Sequence, residues 1–379
     1  MSQNDPGSPP PSGKVRVAVV FGGRSPEHAV SCITAGSVLA AIDRDRYDVV
    51  PIGIARNGQW VLAADDPDRL AIEAGQLPSV DGTGTAVALP ADLPALGLVT
   101  IEPGEVPRQL GQVDVVFPLL HGAFGEDGTV QGLLELAGVP YVGSGVLASA
   151  AGLDKHYMKV LLASHGLPVG PYVVIRDREW RRERKRAVDA VKELGWPVFV
   201  KPARAGSSIG ITRVESEDDL EEAIEAAREH DPKVVVEAAV AGREIECGVL
   251  EGLGDGPPEA SVPAEIIVHG GHQFYDFAAK YLPEEGTELQ VPAELPAAVT
   301  EQVRRMAVAT FEALSCEGLA RVDFFYTRDG SLLVNEINTM PGFTPSSMFP
   351  RMWAECGLAY PALVDRLIRL ARQRRVGLR

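Results

Sequence analysis

Residues 319–347 read LARVDFFYTRDGSLLVNEINTMPGFTPSS, and in this stretch two runs with alternating apolar residues flank Asp329 and Gly330. An Asp-Gly dipeptide between two such runs is a strong signal for a β-hairpin with a two-residue turn. That turn places Asp323 directly opposite Glu336, and the two side chains share one face because the side-chain period of a strand is two. Two facing carboxylates destabilise the pairing unless another group neutralises them.

The same register places Arg321 opposite Asn338, on the face that carries the two carboxylates. A divalent cation would neutralise this face, and the oxygen ligands offered by Asp, Glu and Asn side chains suit magnesium. The alternative is a solvated sheet face on which an acidic pair occurs by chance. The stretch alone leaves both interpretations open.

The composition indicates an acidic globular protein. Its 379 residues predict two or three domains with ample core. No run approaches the roughly 18 apolar residues of a membrane span, and no secretory signal is visible. A formal net charge of -16 argues against a general nucleic-acid binder, although a bound nucleotide needs only a few local cations. The scattered cysteines are predicted to be reduced residues in or near the core of a cytoplasmic protein: Cys32, Cys247, Cys316 and Cys356.

The N-terminal part has the pattern of an α/β domain. After a Pro- and Ser-rich tail at 1–13, Val15–Phe21 is an apolar run typical of a strand buried on both faces. It leads into GGRSPE at 22–27 and then a helix, an arrangement that favours phosphate binding, although it is not G-x-G-x-x-G. A second buried strand, Val113–Leu119, precedes HGAFGEDG at 121–128. These patterns predict a three-layer domain of Rossmann-like type.

The middle of the chain has the pattern of a phosphate-binding flap. Asp154 is predicted to N-cap a helix that carries Lys155 and, one turn later, a solvated Lys159. A strand containing Lys201 runs into ARAGSSIG at 203–210 and is followed by a returning strand. Glycines, serines and backbone N–H groups in such a loop could cover a phosphate chain. The alternative is an ordinary surface hairpin with a lysine at its edge.

A long irregular segment at 270–292 contains Tyr281 and interrupts the C-terminal part. Irregular segments of this length inside a compact domain are more often functional lids than filler. Helices are predicted near 295–314, 347–356 and 360–372.

Taken in order, the motifs resemble those of the D-alanine–D-alanine ligase family of ATP-grasp enzymes. They are FGGRSPEHAVS at 21–31, HGAFGEDGTVQG at 121–132, YVGSG at 141–145, DKHYMK at 154–159, VKPARAGSSIG at 200–210, FYDFAAKY at 274–281, GLARVDFF at 318–325 and NEINTMPGFTPSS at 335–347. The resemblance implies a Rossmann-like N-terminal domain followed by a two-part ATP-grasp fold, a combination of α/β and α+β architecture. The implied divisions are a disordered tail at 1–13, an α/β domain at 14–150, a central subdomain with the flap at 151–240, and a C-terminal subdomain with the lid and metal site at 241–379.

The resemblance assigns roles to the hairpin. Asp323, Glu336 and Asn338 match the family's ligands for two Mg²⁺ or Mn²⁺ ions, with Glu336 bridging them. Arg321 and the backbone N–H of Gly342 match the groups that hold the developing oxyanion.

The resemblance also implies an ATP site. Its residues are Lys155 and Lys201 on the phosphates, Ser207 and Ser208 in the flap, Glu237 on the adenine amino group, Glu244 on the ribose, and Ala239 and Val240 as backbone partners of adenine at the hinge.

On the substrate side, Glu27 matches the carboxylate that holds the ammonium of the first D-alanine, with His121 beside it. His121 has an alternative interpretation as a loop or helix-capping histidine. Ser347, together with the oxyanion glycine, matches contacts to the carboxylate of the second D-alanine. Tyr281 and Ser207 match a hydrogen-bond chain back to Glu27.

The implied reaction is ATP-dependent synthesis of D-alanyl-D-alanine through D-alanyl phosphate, for peptidoglycan precursors. The resemblance further implies a cytoplasmic homodimer that inserts into no membrane, and it leaves open an activating K⁺. A D-alanine–D-lactate ligase of the same fold is the alternative, and Tyr281 favours the dipeptide ligase. A nucleotide-binding oxidoreductase would leave the acidic hairpin unexplained. A non-catalytic ATP-binding regulator would require that a catalytic group be missing.

Overall fold

The computed structural model describes residues 13–72, 75–89, 97–102, 105, 108–268 and 287–374. Three β-sheets organise these residues, with seven, four and five strands. Within the described ranges, no helix combines the length and apolar character that a membrane crossing needs.

The first sheet contains β1 (Val15–Gly22), β2 (Tyr47–Ile54), β3 (Trp60–Leu62), β4 (Ala86–Ala88), β5 (Gly97–Ile101), β6 (Arg108–Gln112) and β7 (Val115–Pro118). Strand β1 lies between β2 and β7 and is parallel to both, as its apolar run predicts. The short strands β3 to β6 extend the sheet in antiparallel fashion, in the order β6-β5-β4-β3-β2-β1-β7. Helices α1 (His28–Ala41) and α2 (Thr129–Ala137) pack on it, whereas α3 (Val146–Leu153) packs in the core of the third sheet.

The second sheet is antiparallel, with the order β10-β9-β11-β8. Its strands are β8 (Tyr172–Arg176), β9 (Val198–Pro202), β10 (Thr212–Val214) and β11 (Lys233–Ala238), and the helices of this part are α4 (Lys155–Ser164), α5 (Asp177–Lys192) and α6 (Leu220–His230). Val234 and Val236 pack in one core cluster with α5 and α6. Because side chains alternate along a strand, Glu237 and its neighbour Val235 lie on the opposite face. Lys201 pairs with Val235, so it shares that face.

The third sheet has the order β14-β13-β12-β15-β16. Its strands are β12 (Gly242–Leu250), β13 (Glu259–Val268), β14 (Thr287–Gln290), β15 (Leu319–Thr327) and β16 (Leu332–Asn338). Helix α7 (Ala297–Ala313) packs on it, and α8 (Met348–Glu355) and α9 (Tyr360–Gln373) complete the described chain. Residues 270–286 of the predicted lid lie outside the described residues. The prediction that the whole of 270–292 is irregular was wrong, because Thr287–Gln290 forms β14.

The β15–β16 hairpin confirms the two predicted cross-strand pairs, although its loop differs from the one predicted. Arg321 pairs with Asn338 and Asp323 with Glu336. The two-residue turn was wrong, because the loop between the Thr327 and Ser331 ends has three residues, 328–330.

A β-bulge compensates for the longer loop. Asp323 pairs with Glu336, but the next residue, Phe324, pairs with Val334, so Asn335 is the extra residue. The bulge shifts the alternation of β16: Leu332, Val334 and then Ile337 are buried. It thereby turns Glu336 and Asn338 onto the face of Arg321 and Asp323.

The two ends of the chain share one core. Val17 and Phe117 of the first sheet lie in the same buried cluster as Phe349 of α8 and Leu367 of α9. The domain limits predicted from the sequence stay a prediction. The four cysteines are free thiols, and Cys356 is exposed, so its predicted place in or near the core was wrong.

Candidate active site

A cavity of about 590 Å³ lies where the first sheet, the flap and the hairpin meet. Its lining includes these residues predicted from the sequence: Glu27, His121, Lys155, Ser207, Ser208, Arg321, Glu336, Asn338, Gly342 and Ser347. Two acidic residues that the sequence interpretation did not single out, Glu126 and Glu246, also line it. The fold therefore brings residues more than 300 positions apart in the chain to one cavity.

Arg321 organises the hairpin face of the cavity. Its Nε and Nη2 atoms donate to the two carboxylate oxygens of Asp323, each at 2.7 Å, and Nε lies 3.2 Å from Glu246 Oε2. The Asn338 amide donates to Asp323 at 3.1 Å. Burial lowers the pKa of Arg321, but Asp323 and Glu246 raise it well above its ordinary value. A forked guanidinium between two carboxylates is a rigid, permanently charged group.

The predicted metal ligands lie together, with Asp323 opposite Glu336 and Arg321 opposite Asn338. Carboxylate and amide oxygens on one sheet face are a donor set that fits a hard divalent cation. In the described residues, however, no group of three His, Cys, Asp or Glu side chains is arranged to hold a metal ion. Arg321 is the group that pairs with Asp323 here.

The flap reaches the first-substrate residue predicted from the sequence. Ser207 Oγ donates to Glu27 Oε1. Ser207 and Ser208 both adopt positive φ, at 48° and 58°, a conformation that costs energy for residues other than glycine. A Cβ at Gly122, which also has positive φ, would lie 2.5 Å from Glu27 Oε2, so only glycine allows this loop to approach the carboxylate.

Glu126 joins two loops of the cavity, and no sequence signal beyond its place in HGAFGEDG pointed to it. Its carboxylate accepts from the Gly122 N–H at 2.7 Å and from the Met340 N–H at 3.3 Å. Burial, with a smaller contribution from the nearby Glu27 carboxylate, raises the pKa of Glu126 to about 8. Burial lowers the pKa of His121, whose Nδ1 lies 3.2 Å from the Met340 carbonyl oxygen.

The lysines and acids predicted for the nucleotide lie beside this cavity. Lys155 Nζ donates to the Ala205 carbonyl at the base of the flap, at 2.8 Å, and lies 3.9 Å from Glu336. Lys201 Nζ donates to Glu237 at 2.7 Å. Burial lowers the pKa of Lys155. Burial also acts to lower the pKa of Lys201, but the nearby carboxylates of Glu237, Glu336 and Glu244 together raise it.

Lys159 contradicts its predicted exposure. Only 1% of its surface is exposed, and its Nζ lies 3.1 Å from Glu237 Oε1. The sequence prediction was wrong because the helical period places Lys159 on the same face as Lys155, and that face packs towards β11.

The remaining predicted residues are Ser347, Glu244, Ala239, Val240 and Tyr281. Ser347 accepts from the Thr344 N–H at 3.1 Å, just before α8. Glu244 is exposed, and the Ala239 N–H at the predicted hinge donates to the Pro197 carbonyl at 3.1 Å. Tyr281 lies outside the described residues.

Known proteins match the chain along its whole length. Sequence models described as D-ala D-ala ligase N-terminus and D-ala D-ala ligase C-terminus match residues 16–144 and 161–369. A curated D-alanine–D-alanine ligase of Streptomyces coelicolor is 61% identical over 96% of this chain and 95% of its own. Another, of Kineococcus radiotolerans, is 61% identical over 97% of this chain and 99% of its own.

Solved structures confirm the predicted fold. The VanG D-Ala:D-Ser ligase of Enterococcus faecalis superposes with a TM-score of 0.81 at 35% identity, covering 94% of this chain and 99% of that one. The D-alanine–D-alanine ligase of Coxiella burnetii gives a TM-score of 0.79 at 33% identity, covering 96% and 95%. With both halves matched and the motifs gathered around one cavity, the chain belongs to the D-alanine–D-alanine ligase family.

Proposed function

We infer that this chain joins two molecules of D-alanine into D-alanyl-D-alanine at the expense of ATP, through a D-alanyl phosphate intermediate, for peptidoglycan precursors. Full-length relatives named D-alanine–D-alanine ligase share 56% to 61% identity with it. The observation that carries the inference is the contact between the flap and the candidate ammonium site, where Ser207 donates to Glu27. This contact joins a phosphate-binding element to an amino-acid-binding one.

The first step needs a carboxylate beside a phosphoryl group. We assign Glu27 to the ammonium of the first D-alanine, with His121 beside it. Lys155 and Lys201 neutralise the phosphates of ATP, and Ser207 and Ser208 bring flap donors to them. The carboxylate then attacks the γ-phosphoryl group, a reaction that depends mainly on positioning and charge stabilisation.

Asp323, Glu336 and Asn338 would hold two Mg²⁺ or Mn²⁺ ions, supported by their common sheet face. Such ions supply charge stabilisation to the phosphate oxygens when they are bound. The ionised Asp323 carboxylate has about four lone-pair sites, so it could bind a cation while it accepts the two hydrogen bonds from Arg321. Glu246, at 3.2 Å, also holds the guanidinium over the cavity.

The second step forms the peptide bond. Ser347 and Gly342 contact the carboxylate of the second D-alanine, and its neutral amine attacks the acyl carbon. Arg321 and the Gly342 N–H stabilise the resulting oxyanion, and phosphate leaves. The closed flap excludes water from the reactive acylphosphate, and Tyr281 would complete this closure. On the adenine side, Glu237 accepts from the amino group, Glu244 binds the ribose, and Ala239 and Val240 supply backbone contacts.

The proposal extends to the assembly and its surroundings. The family resemblance implies a homodimer in the cytoplasm and leaves activation by K⁺ open. The chain has ATP and D-alanine as small-molecule partners, and its negative net charge gives no support to nucleic-acid binding.

The test is turnover by the purified protein with ATP, Mg²⁺ and D-alanine. We expect phosphate and D-alanyl-D-alanine in equal amounts, and Glu336→Gln should abolish both products. Glu301→Gln, an exposed glutamate on α7, is the matched control and should turn over normally. Absence of phosphate release with every D-amino acid would overturn the inference.

A competition between D-alanine and D-lactate across the pH range addresses the second substrate. An amine nucleophile must be deprotonated, whereas a hydroxyl acid has no such requirement. We expect dipeptide to dominate increasingly as the pH rises. Preferential formation of the ester at all pH values would instead identify the D-lactate ligase, which the curated relatives do not favour.

A further inference from the structure

Glu237 binds two lysines at once. Its Oε2 accepts from Lys201 Nζ at 2.7 Å, and its Oε1 lies 3.1 Å from Lys159 Nζ. Lys159 and Glu237 are buried, at 1% and 7% exposed, and the Lys201 side chain is 12% exposed. The proposed function uses Glu237 and Lys201 but gives Lys159 no task, although burying a lysine is costly unless it is paired.

The two lysines differ in how they are anchored. Lys201 is on β9, directly before the flap, and it is diagonal to Glu237 across the sheet. Lys159 projects from α4, and its Nζ also lies 5.8 Å from the ring centroid of Tyr172, the residue that pairs with Glu237 across β8 and β11. A cation over an aromatic face gains further stabilisation. Lys159 is therefore held by two neighbouring strands, whereas Lys201 contacts Glu237 and the ring of Phe199 on its own strand, whose centroid lies 5.9 Å from Lys201 Nζ.

Helix α4 directs its two lysines to different parts of the nucleotide site. Lys155 contacts the flap base at the Ala205 carbonyl and faces Glu336 of the hairpin. Lys159, one turn later on the same helix face, contacts Glu237 beside the hinge. The helix thus spans the cleft from the phosphate end to the adenine end.

ATP binding creates a conflict for Lys201. If Lys201 moves to the phosphates, Glu237 loses one counter-ion. A buried charge left without a partner is strongly destabilising, and that penalty would oppose binding. Lys159 approaches the other carboxylate oxygen, so it can stay when Lys201 leaves.

We propose that Lys159 is a positioning residue for ATP, the fixed counter-ion of Glu237 that frees Lys201 for the phosphate chain. It also keeps the Glu237 carboxylate aimed at the adenine amino group. The proposal rests on the nucleotide roles given to Glu237 and Lys201 above. In agreement with it, burial raises the pKa of Glu237 but the two ammonium groups outweigh burial and lower the pKa to about 2.

The test is equilibrium titration of the full-length protein with ATP, without D-alanine. Lys159→Met keeps the length of the apolar stem and removes the charge. We expect its Kd for ATP to rise by roughly tenfold or more, as truncation of one partner in a buried charge pair implies. Lys159→Arg, which keeps the cation, should stay within about threefold of the wild type. The control Lys192→Met removes an ion pair with Glu217 outside the cleft and should leave the Kd unchanged.

A double-mutant cycle identifies the partner. In a Glu237→Gln background there is no carboxylate to retain Lys201, so adding Lys159→Met should change the Kd by less than about threefold. A Kd unchanged in Lys159→Met, or an equal loss in both backgrounds, would overturn the proposal. If Lys159→Met does not fold, Lys159→Gln takes its place in the cycle. Because titration needs no turnover, it separates this proposal from the ligase assay.

Discussion

A single guanidinium holds the acidic face of the hairpin together. Without Arg321, the carboxylates of Asp323 and Glu246 would face each other across β12 and β15 without a shared cation. Arg321, which we assign to the oxyanion, therefore also stabilises the two carboxylates beside it. A substitution that tests the oxyanion role must keep a positive charge between these carboxylates.

Arg321→Lys meets that requirement, because it keeps a cation between the carboxylates and removes the planar fork. We expect kcat to fall by about 10²–10³, the usual loss when one oxyanion donor is removed, with the Kd for ATP nearly unchanged. Steady-state kinetics with a thermal unfolding control would measure this. A normal kcat would remove Arg321 from the oxyanion role.

Glu126 predicts a pH dependence of stability. Its native pKa, raised to about 8, exceeds the ordinary 4.5, so the folded state favours the protonated acid. That contribution is fully present below about pH 4.5 and is lost as the pH rises through about 8. Glu126→Gln should therefore lose less stability than the wild type between pH 5 and pH 9, by about 1–3 kcal/mol.

Chemical denaturation at the two pH values would measure this difference. Glu312→Gln, on the exposed face of α7, is the control and should follow the wild type. Parallel pH curves for the wild type and Glu126→Gln would show that the acid is ionised in the folded state.

The sequence could predict the site residues that belong to a recognisable local motif. The Asp323–Glu336 pair was predicted from a two-residue turn, and Lys201 from its place before a glycine-rich loop. Strand periodicity alone would place Glu336 on the buried face of Leu332 and Val334, and the bulge moves it to the face of Asp323. Lys159 and Glu126 could not be predicted, because their roles depend on what packs against them. A lysine one turn along a helix is solvated or buried according to the neighbouring sheet, and no local signal states which.

At the level of elements, two departures from regular strand pairing compensate for each other in the β15–β16 hairpin. The three-residue loop shifts the pairs near the turn by one position, and the bulge at Asn335 shifts them back. Asp329 and Gly330 signalled the turn but not its length, and Asn335 has no property that marks a bulge. A one-residue slip reverses every side chain, so both features are needed to face Glu336 into the cavity.

The loop makes a specific demand on Gly330, which has a φ of +84° and no heavy atom within 4 Å of an added Cβ. Gly330→Ala should cost about 1–2 kcal/mol of unfolding free energy from backbone strain alone. Gly132 on α2 also has open space around an added Cβ but lacks positive φ. Gly132→Ala should therefore stabilise by about 0.5–1 kcal/mol. Denaturant titration would measure the change in unfolding free energy for both variants. A destabilised Gly132→Ala would contradict the argument.

At the scale of the whole molecule, the last helices complete the first sheet. Helix α9 packs against α1 and β7, and Tyr47 of β2 donates to Asp365 of α9 at 2.6 Å. Arg374, just after α9, lies within hydrogen-bonding distance of the Gly143 carbonyl near the end of the N-terminal part. Strand, turn and helix patterns are local, so the sequence could predict these elements but not that the two ends of the chain share a core.

Because α9 shares a core with the first sheet, a substitution that destabilises α9 should also destabilise β1. Leu367 is 1% exposed in the shared core, so Leu367→Ala should cost about 2–5 kcal/mol and accelerate amide hydrogen exchange in Val15–Gly22. Leu136→Ala, at a side chain that is 75% exposed on α2, should change stability by less than about 0.5 kcal/mol. Faster exchange confined to α9, with β1 protected as in the wild type, would mean that the two ends unfold independently. Because β1 leads directly into the loop that carries Glu27, Leu367→Ala should also raise the KM for D-alanine, although the leucine lines no part of the cavity.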